Sequence, residues 1–485
     1  MGHMQALGDK PGRDRSRVPQ HAVALCFVAG VLSSFSDMAY NGALNGAYAS
    51  VTDAGRDWST MVAAVVFVAL AVVGRRHSLA LKVVPLTIAS AVCTVVGHVV
   101  AASGLAWLSP QLIEVGLSIS SAGSVWTAVV TLVALCSLPA RAICLCLAGA
   151  SCVSIPLSLV LGPVMTYGAA NALDAVAQIG SLLLLLPVAR PFFERLGQLG
   201  DPSAVAVAHP RAFLPFGSQI FVYIFVFSFC FGYGLRYLGE DEQIVPSLVQ
   251  LAIMLLVVGY ALKKGVRPQA DRLFLLAFVL GLGGLLCVLL DDGRATVTAS
   301  ALLLGGYGVF DLLMWFALAA VAARTTVDAV PAVSWGLAVC YAGILAGAQL
   351  CIVTGGAEAA DPLVGRAMVA VLAAGLAVYT VCTRRSFTFD AAIDGIDPAT
   401  AAPAAVTYVD PLEEALEAAA EEVALTPRER EIADLLAHGH NARHIQETLS
   451  ISGNTVKYHA RNVYGKFGVR NQQELIDLMS ERKRG

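Results

Sequence analysis

The chain has 485 residues, of which 57% are apolar and 14% charged, with a formal net charge of −3. A soluble domain is usually about 45–50% apolar and about 25% charged. The deficit of charge therefore excludes a chain solvated mainly by water and indicates one solvated mostly by lipid.

Apolar stretches dominate the chain from about His21 to Cys382. A transmembrane helix needs about 20 predominantly apolar residues, and the sequence offers twelve such stretches. The candidate spans are residues 20–40, 57–74, 79–103, 110–137, 140–162, 168–188, 213–238, 244–262, 271–290, 298–322, 331–354 and 362–382. The pattern predicts an all-α, polytopic membrane bundle of twelve helices, with the lipid bilayer as its surroundings.

The eleven cysteines lie in or at the edges of these stretches, and no CxxC pair occurs in the sequence. We therefore expect them to pack as small apolar residues between helices, without disulfides or a zinc site. A nucleotide-binding loop, a metal-ligand cluster and a nucleophile–base arrangement are likewise not apparent. We expect no enzymatic activity, no metal and no cofactor.

The distribution of basic residues predicts the orientation, because Lys and Arg favour cytoplasmic loops. With a cytoplasmic N-terminus, every inner loop carries at least one basic residue, and the loop after span eight carries four. The basic residues left on the outer side are Arg56, Arg236, Arg294 and Arg366. Twelve spans then return the C-terminus to the cytoplasm, so we expect a multi-pass protein of the inner (cytoplasmic) membrane with both termini inside.

A connection at 189–212 divides the spans into two groups of six, and its three prolines predict an irregular linker. Two six-helix halves with both ends inside resemble the major facilitator superfamily; an unrelated twelve-helix bundle is the alternative. The predicted segments are a cytoplasmic tail at 1–19, a first half at 20–188, the linker at 189–212, a second half at 213–382, an acidic linker at 383–424 and a C-terminal domain at 425–485.

The resemblance to that superfamily is one of layout, and the motif between spans two and three is incomplete. The family often carries a signature there with glycine, aspartate and arginine. The stretch Gly74-Arg75-Arg76-His77-Ser78 keeps the glycine and the arginines and lacks the acidic partner. This departure makes a transport cycle less expected.

Asp311 lies near the middle of span ten, where an ionisable side chain is costly and usually faces the protein interior or a water-filled cavity. Tyr307 and Trp315 flank it at spacings of four, which predicts a stripe of one acid and two aromatics. The functional interpretation is a pocket for a small, aromatic or cationic molecule; the alternative is packing between helices. The candidate pocket residues are Tyr307, Asp311, Trp315, Trp126, Tyr223 and Glu114. For Trp126, as for Asp174 and His98, packing is the favoured interpretation.

The segment after the last span is rich in Pro, Ala and acidic residues. Its first part is expected to be flexible, and the stretch LEEALEAAAEEVA is expected to be helical. The acidic run is either a solvated face or a mask for a basic DNA-binding helix.

Four helices are predicted in the C-terminal domain. Thr426, Pro427 and Glu429 form a capping box that starts the first helix, and Gly439 ends it. A second helix runs over 442–449, a third over 453–467 with Ser452 as its N-cap, and a fourth starts at Asn471. A helix, a short turn and a basic helix form the helix-turn-helix pattern, whose second helix enters the major groove of DNA.

The residues of this domain are specific enough to indicate a family. LTPRERE, the Ser452 to His459 run and the segment from Tyr464 to Asn471 resemble the LuxR-type (NarL/FixJ-like) domain almost end to end. The resemblance implies base contacts by Lys457, Tyr458 and Arg461, phosphate contacts by Thr455, Asn454 and His459, and dimerisation through the fourth helix. Two residues of the second helix depart from the family. His444 and Gln446 replace the usual Glu and Ala, and Gln446 adds bulk where helices pack closely.

Together these features predict a membrane-embedded, one-component transcription regulator. The transporter-like domain would sense an unknown small molecule, and the C-terminal domain would act as a homodimer on double-stranded promoter DNA with two half-sites. The alternative is a secondary transporter with an appended regulatory DNA-binding tail.

Overall fold

The computed structural model describes residues 20–40, 44–52, 54–76, 81–198, 219–238, 244–263, 269–290, 293–323, 329–354, 362–384, 387–394, 419, 423, 425–437, 442–449 and 452–482. The regular elements in these residues are all helical, as predicted. The chain divides into two compact units, residues 1–403 and 404–485. This division falls within the stretch predicted as the acidic linker.

Fourteen α-helices form the described part of the first unit. They are α1 (Gln20–Ala39), α2 (Asn45–Ala49), α3 (Gly55–Arg76), α4 (Val83–Ala106), α5 (Pro110–Leu135), α6 (Ala140–Leu161), α7 (Tyr167–Gln198), α8 (Gln219–Leu238), α9 (Ile244–Leu262), α10 (Ala270–Val288), α11 (Gly293–Ala322), α12 (Ala329–Val353), α13 (Pro362–Thr383) and α14 (Phe389–Asp394). Among the described residues, twelve of these helices are long and apolar enough to cross a membrane, and the short α2 and α14 are the exceptions. The predicted number of spans is confirmed.

The packing pattern of the first six spans repeats in the second six. The neighbours α4–α5, α1–α6 and α3–α5 of the first half correspond to α10–α11, α8–α12 and α9–α11 of the second. The contacts across the halves obey the same relation, since α3 packs on α12 and α6 packs on α9. A shift by six spans therefore maps these contacts onto one another, as expected of two structural repeats.

Small residues set the closest helix approaches in both halves. A Cβ atom added at Gly97 on α4 would lie 2.3 Å from the backbone nitrogen of Ser120 on α5. One added at Gly347 on α12 would lie 2.1 Å from the carbonyl oxygen of Phe229 on α8. Because lipid tails are as apolar as the helix surfaces, membrane helices gain stability from such close van der Waals contact.

The structure differs from the predicted boundaries at two places in the membrane unit. The helix α7 continues to Gln198, ten residues into the segment predicted as an irregular linker, because Phe192, Phe193 and Leu196 are buried against the bundle. The rest of that segment, 199–212, lies outside the described residues. The helix α2 was not predicted; its Tyr48 is buried and accepts a hydrogen bond from the hydroxyl of Tyr167 at 2.8 Å.

The described residues after Leu425 form four helices close to the predicted positions. They are α15 (Pro427–Ala437), α16 (Ala442–Leu449), α17 (Gly453–Phe467) and α18 (Gln472–Arg482). Among the described residues, the core of the second unit holds four buried apolar residues of α15, two of α17 and one each of α16 and α18, with Ile432, Ile445, Val463 and Leu475 fully buried. This arrangement leaves the polar face of α17 toward solvent.

Candidate functional site

The helix α17 begins at a well-formed N-cap. The Ser452 hydroxyl accepts a hydrogen bond from the backbone N–H of Thr455 at 3.2 Å and lies 2.7 Å from the Thr455 hydroxyl. Such a cap satisfies one of the N–H groups left free at a helix start. At the other end, Gly468 adopts a positive φ of 68°, a conformation that favours glycine. The helix length is therefore set at both ends by local chemistry.

Four of the predicted DNA-binding side chains share one exposed face of α17. Asn454, Lys457, Tyr458 and Arg461 are exposed and follow the three- and four-residue spacing of a helix face. Tyr458 has 56% of its surface exposed, which is high for an aromatic side chain. A side chain that packs in an apolar core would be buried. The exposed position of Tyr458 therefore fits contact with another molecule.

Thr455 and His459, the remaining two predicted DNA contacts, are half-buried. The Thr455 hydroxyl already pairs with that of Ser452. The Nδ1 atom of His459 is buried and has no hydrogen-bond partner among the described residues, while its ring packs edge-on against Tyr458 at 5.4 Å. These two residues therefore border the exposed face and do not form its centre.

The helix α17 is held in place by a buried acid on α15. The Glu429 carboxylate accepts hydrogen bonds from the Thr426 backbone N–H at 3.0 Å and from the Lys466 ammonium at 2.8 Å. The Thr426 hydroxyl in turn accepts a bond from the Glu429 N–H at 3.3 Å. The predicted capping box is present, and the ion pair to Lys466 ties it to the end of α17.

The departure at Gln446 has a structural counterpart in Gly453. A Cβ atom added at Gly453 would lie 2.0 Å from the Gln446 side-chain nitrogen. The larger glutamine is therefore accommodated because the first residue of α17 has no side chain. The side chain of His444 lies outside the described residues.

Glu429→Gln is expected to destabilise the C-terminal unit by about 1–3 kcal/mol, because the variant loses charged hydrogen bonds at a buried site. The Lys466 ammonium and the Thr426 backbone amide lower the pKa of Glu429 from 4.5 to about 2. A carboxyl with a lowered folded-state pKa contributes stability that is present above its unfolded pKa. That contribution should disappear as the pH falls from about 4.5 toward about 2.

Hydrogen exchange of the α15 and α17 amides in the intact protein measures this effect. Glu431→Gln is the matched control, since Glu431 pairs with Arg428 on the exposed side of α15 at 2.5 Å. Equal exchange rates in both variants would contradict the assigned role of Glu429.

A partly open cavity of about 360 Å³, lined by many polar side chains, lies between the two halves of the membrane unit. The first half contributes most of its wall, and the second half contributes residues of α11 and α12. The polar and aromatic lining residues include Ser33, Ser34, Ser36, Asp37, Tyr40, Tyr48, Arg56, Ser59, Thr60, His98, Ser120, Ser121, Ser124, Thr127, Thr131, Ser151, Asp174, Gln178, Ser181, Asp311, Trp315 and Tyr341. A cavity of this size matches the lower range of small-molecule sites.

The cavity contains Asp311 and Trp315, two of the six predicted pocket residues. The Trp315 indole N–H donates to the Asp311 carboxylate at 3.2 Å. Tyr307 is not among the lining residues and packs against Phe231, with ring centroids 5.4 Å apart. Of the predicted three-residue stripe, this lining contains Asp311 and Trp315 and does not contain Tyr307. Residues eight apart on a helix diverge by about 80° at 100° per residue, so the cavity face of α11 instead carries Gly308, Asp311, Leu312 and Trp315.

Trp126, Tyr223 and Glu114, the other three predicted pocket residues, are engaged elsewhere. Trp126 is buried and donates to the Thr87 hydroxyl at 3.1 Å. The Tyr223 hydroxyl bonds to that of Thr383. Glu114 accepts a hydrogen bond from Thr52 at 2.9 Å. Each of these side chains has a hydrogen-bond partner outside the cavity lining. Composition alone therefore did not identify which side chains line the cavity.

A buried ion pair on the cavity wall was not predicted as a functional feature. The His98 Nε2 atom lies 2.9 Å from the Asp174 carboxylate, and Nδ1 lies 2.8 Å from the Thr94 carbonyl oxygen. Both ring nitrogens therefore face acceptors, and the Ser120 hydroxyl lies 3.0 Å from Nδ1. Ser36 and Gln178 also donate to Asp174. The network joins α1, α4 and α7.

The helix α14 lies within the segment predicted to be flexible and is held against α10. The Asp271 carboxylate accepts hydrogen bonds from the backbone N–H groups of Phe389 at 2.8 Å and Asp390 at 3.3 Å. The Asp390 carboxylate accepts bonds from those of Ala270 at 2.9 Å and Asp271 at 3.4 Å. Each acid thus caps the start of the other helix.

Aromatic contacts reinforce this connection, which we call the linker dock (residues 387–394 with Ala270, Asp271 and Phe274). The Phe389 ring is buried and lies 5.2 Å from that of Phe274. The Phe387 ring stacks on Tyr223 at 5.2 Å. The helix α14 also packs against α11, the helix that carries Asp311. The expectation of a flexible segment is therefore wrong for residues 389–394.

Both parts of the chain are similar to known proteins. Residues 423–479 match the family described as bacterial regulatory proteins, luxR family. The probable transcriptional regulatory protein SgaR of Hyphomicrobium methylovorum is 46% identical over 54 residues, which are 11% of this chain and 26% of that protein. The chain thus matches about a quarter of the length of this curated relative.

Solved transporter structures resemble the membrane part in fold. A bacterial homologue of the iron transporter ferroportin, in an outward-facing state, has a TM-score of 0.50 at 12% identity and covers 75% of this chain and 98% of its own. The major facilitator superfamily transporter FucP, in its outward conformation, has a TM-score of 0.48 at 13% identity and covers 77% and 100%. Residues 423–479 are therefore a LuxR-type helix-turn-helix domain, and the chain joins it to a membrane domain with twelve candidate spans among its described residues and a fold similar to that of the ferroportin homologue.

Proposed function

We propose that this protein is a membrane-embedded one-component transcription regulator. The observation that carries the proposal is the union, in one chain, of a LuxR-type domain with an exposed basic face and a transporter-like domain with a polar cavity. A small molecule in the cavity would alter the membrane domain, and the C-terminal domain would respond at a promoter. The protein would lie in the inner membrane with both termini in the cytoplasm.

The DNA partner is proposed to be a promoter with two half-sites, bound by a homodimer. Lys457, Tyr458 and Arg461 would contact base edges, and Asn454 and Thr455, with His459 at the border, would contact phosphates. Their placement on or beside one exposed face of α17 supports these roles. The proposed role needs no enzymatic step.

The linker dock supports a mechanical connection between the two functions. Coupling between distant sites is carried by packed side chains and rigid helices that have two arrangements. Asp311 faces the cavity from α11, and α11 also contacts α14, which precedes the DNA-binding unit in the chain. A ligand that prefers one arrangement of α11 would then shift the position of α14.

Breaking the linker dock is expected to uncouple the cavity from transcription. In the wild-type background, Asp311→Asn should change reporter transcription from a target promoter about fivefold or more, the usual size of an allosteric coupling. Together with Asp271→Ala and Asp390→Ala, the same substitution should have no further effect. Glu194→Ala is the control, because Glu194 pairs with Arg190 on the exposed end of α7. An unchanged effect of Asp311→Asn after the dock is broken would contradict this route.

Genome-wide DNA occupancy of the intact protein tests the proposed function as a whole. A few sharp peaks, lost in a Lys457→Ala/Arg461→Ala variant, are expected of a membrane-bound regulator. A secondary transporter with a regulatory tail is the second candidate, supported by the transporter-like fold and its cavity. Absence of specific peaks, together with substrate accumulation in proteoliposomes, would favour that candidate.

A further inference from the structure

The chemistry of the cavity wall indicates which class of ligand it accepts. The charged lining residues are Asp37, Asp174, Asp311, Arg56 and His98. Asp174 is already matched by the His98 imidazole and by donors from Ser36 and Gln178. This pair forms a neutral unit. The other ionisable lining residues are then two acids and one arginine, so acidic side chains outnumber basic ones among them.

Two further acids of the wall lie on opposite halves of the membrane domain. Asp37 is on α1 of the first half, and Asp311 is on α11 of the second. Asp311 is half-buried within a stretch of α11 that is otherwise largely buried, because its open side faces the cavity. A ligand that contacts both acids would therefore connect the halves.

The wall also contains hydrogen-bond acceptors that have few or no donors among the described residues. The structure gives the Asp311 carboxylate one donor, the Trp315 indole at 3.2 Å, whereas an ionised carboxylate can accept about four hydrogen bonds. The side-chain oxygen of Gln178, on the same wall, is buried and has no hydrogen-bond partner among the described residues. A buried acceptor is stabilised by a donor, which a ligand can supply.

Aromatic rings complete the lining on the side of the second half. Trp315 lies one turn from Asp311 on α11, and Tyr341 of α12 also lines the cavity. The faces of such rings attract cations. Acids and aromatic rings around one cavity favour a positively charged group over a neutral or negative one.

We propose that the cavity binds a small organic cation with N–H donors, an amine in its ammonium form, held between Asp37 and Asp311. This inference rests on the proposed function in that it names the ligand class of the proposed sensor. Contact with both halves gives the ligand a reason to prefer one arrangement of the membrane domain.

Binding of four matched probes to the intact protein in lipid nanodiscs tests the proposal. Benzylammonium, benzyl alcohol and benzoate share a ring and differ in charge, and benzyltrimethylammonium is a cation without donors. Calorimetric titration should show benzylammonium binding at least about tenfold more tightly than each of the others, since it is the one probe with both a positive charge and N–H donors for a carboxylate. Equal or tighter binding of the alcohol or the benzoate, or no saturable binding of benzylammonium, would overturn it.

Two variants locate the binding. Asp311→Asn and Asp37→Asn should each weaken benzylammonium binding at least about tenfold, because each removes one charge from the site. Asp57→Asn is the matched control, since Asp57 bonds to Gln349 at 2.7 Å and does not line the cavity. Benzylammonium binding that survives both cavity substitutions would place the site elsewhere.

The probe series on the wild-type protein remains decisive if a variant fails to fold. The titrations contain no DNA. If benzylammonium does not bind, the proposal of a transcription regulator is unaffected. If DNA occupancy is absent, the proposed ligand class is unaffected.

Discussion

Replacing Lys457 and Arg461 together with alanine is expected to abolish specific promoter binding by the intact protein. Each substitution should cost about 1–3 kcal/mol if the side chain reads a base edge. Both side chains are exposed on one face of α17 and are separated by one helical turn. The change should therefore leave the core residues Val456 and Val463 undisturbed.

Electrophoretic mobility measurements on a promoter found by occupancy mapping would quantify the loss. Arg430→Ala serves as the control, because it removes one positive charge from α15 and leaves α17 unaltered. If Lys457 and Arg461 contributed only positive charge, removing either of them would weaken binding as much as removing Arg430. Each substitution would then mainly reduce the salt dependence of binding. Wild-type affinity in the double variant would remove α17 from consideration as the DNA-reading helix.

Asp174→Asn is expected to destabilise the membrane domain by about 3–5 kcal/mol, the usual cost of removing one partner from a buried ion pair. The substitution leaves the buried His98 ring without its carboxylate partner. A double variant, His98→Leu with Asp174→Leu, should regain much of the stability, because it leaves no unpaired buried charge.

Thermal unfolding in nanodiscs would measure these differences. Glu194→Gln is a matched control, since its pair with Arg190 is more than half exposed on both sides and such pairs contribute about 0–1 kcal/mol. If Asp174→Asn unfolds at the temperature of the wild-type protein, the pair at 2.9 Å is not holding the helices together.

Features that depend on neighbouring residues are predictable from the sequence alone. The capping box of Thr426 and Glu429 is local, because its partners lie three residues apart. The exposed face of α17 follows from helix geometry once Ser452 sets where the helix begins. The twelve spans follow from length and composition, since a helix that crosses lipid must satisfy its own backbone groups.

Side chains that meet across the bundle could not be identified in this way. His98 and Asp174 are 76 residues apart, and their pairing depends on how α4 and α7 pack. Trp126 and Glu114 have the composition expected of a pocket, but the rotation of α5 directs them to other partners. Tyr307 also lies off the cavity face of α11, because it is eight residues from Trp315 and the two side chains point in different directions.

The linker dock illustrates the same limit in a segment with little internal signal. Residues 389–394 form too short a helix to be stable alone, and their composition indicated flexibility. Asp271, more than a hundred positions earlier, caps this helix and is capped by it in turn. From the sequence, the chain could be identified as a twelve-span protein with a LuxR-type tail, because spans and caps arise from contiguous residues. The cavity, its ion pair and the docked linker arise from contacts between distant helices, and those contacts exist only after the helices have packed.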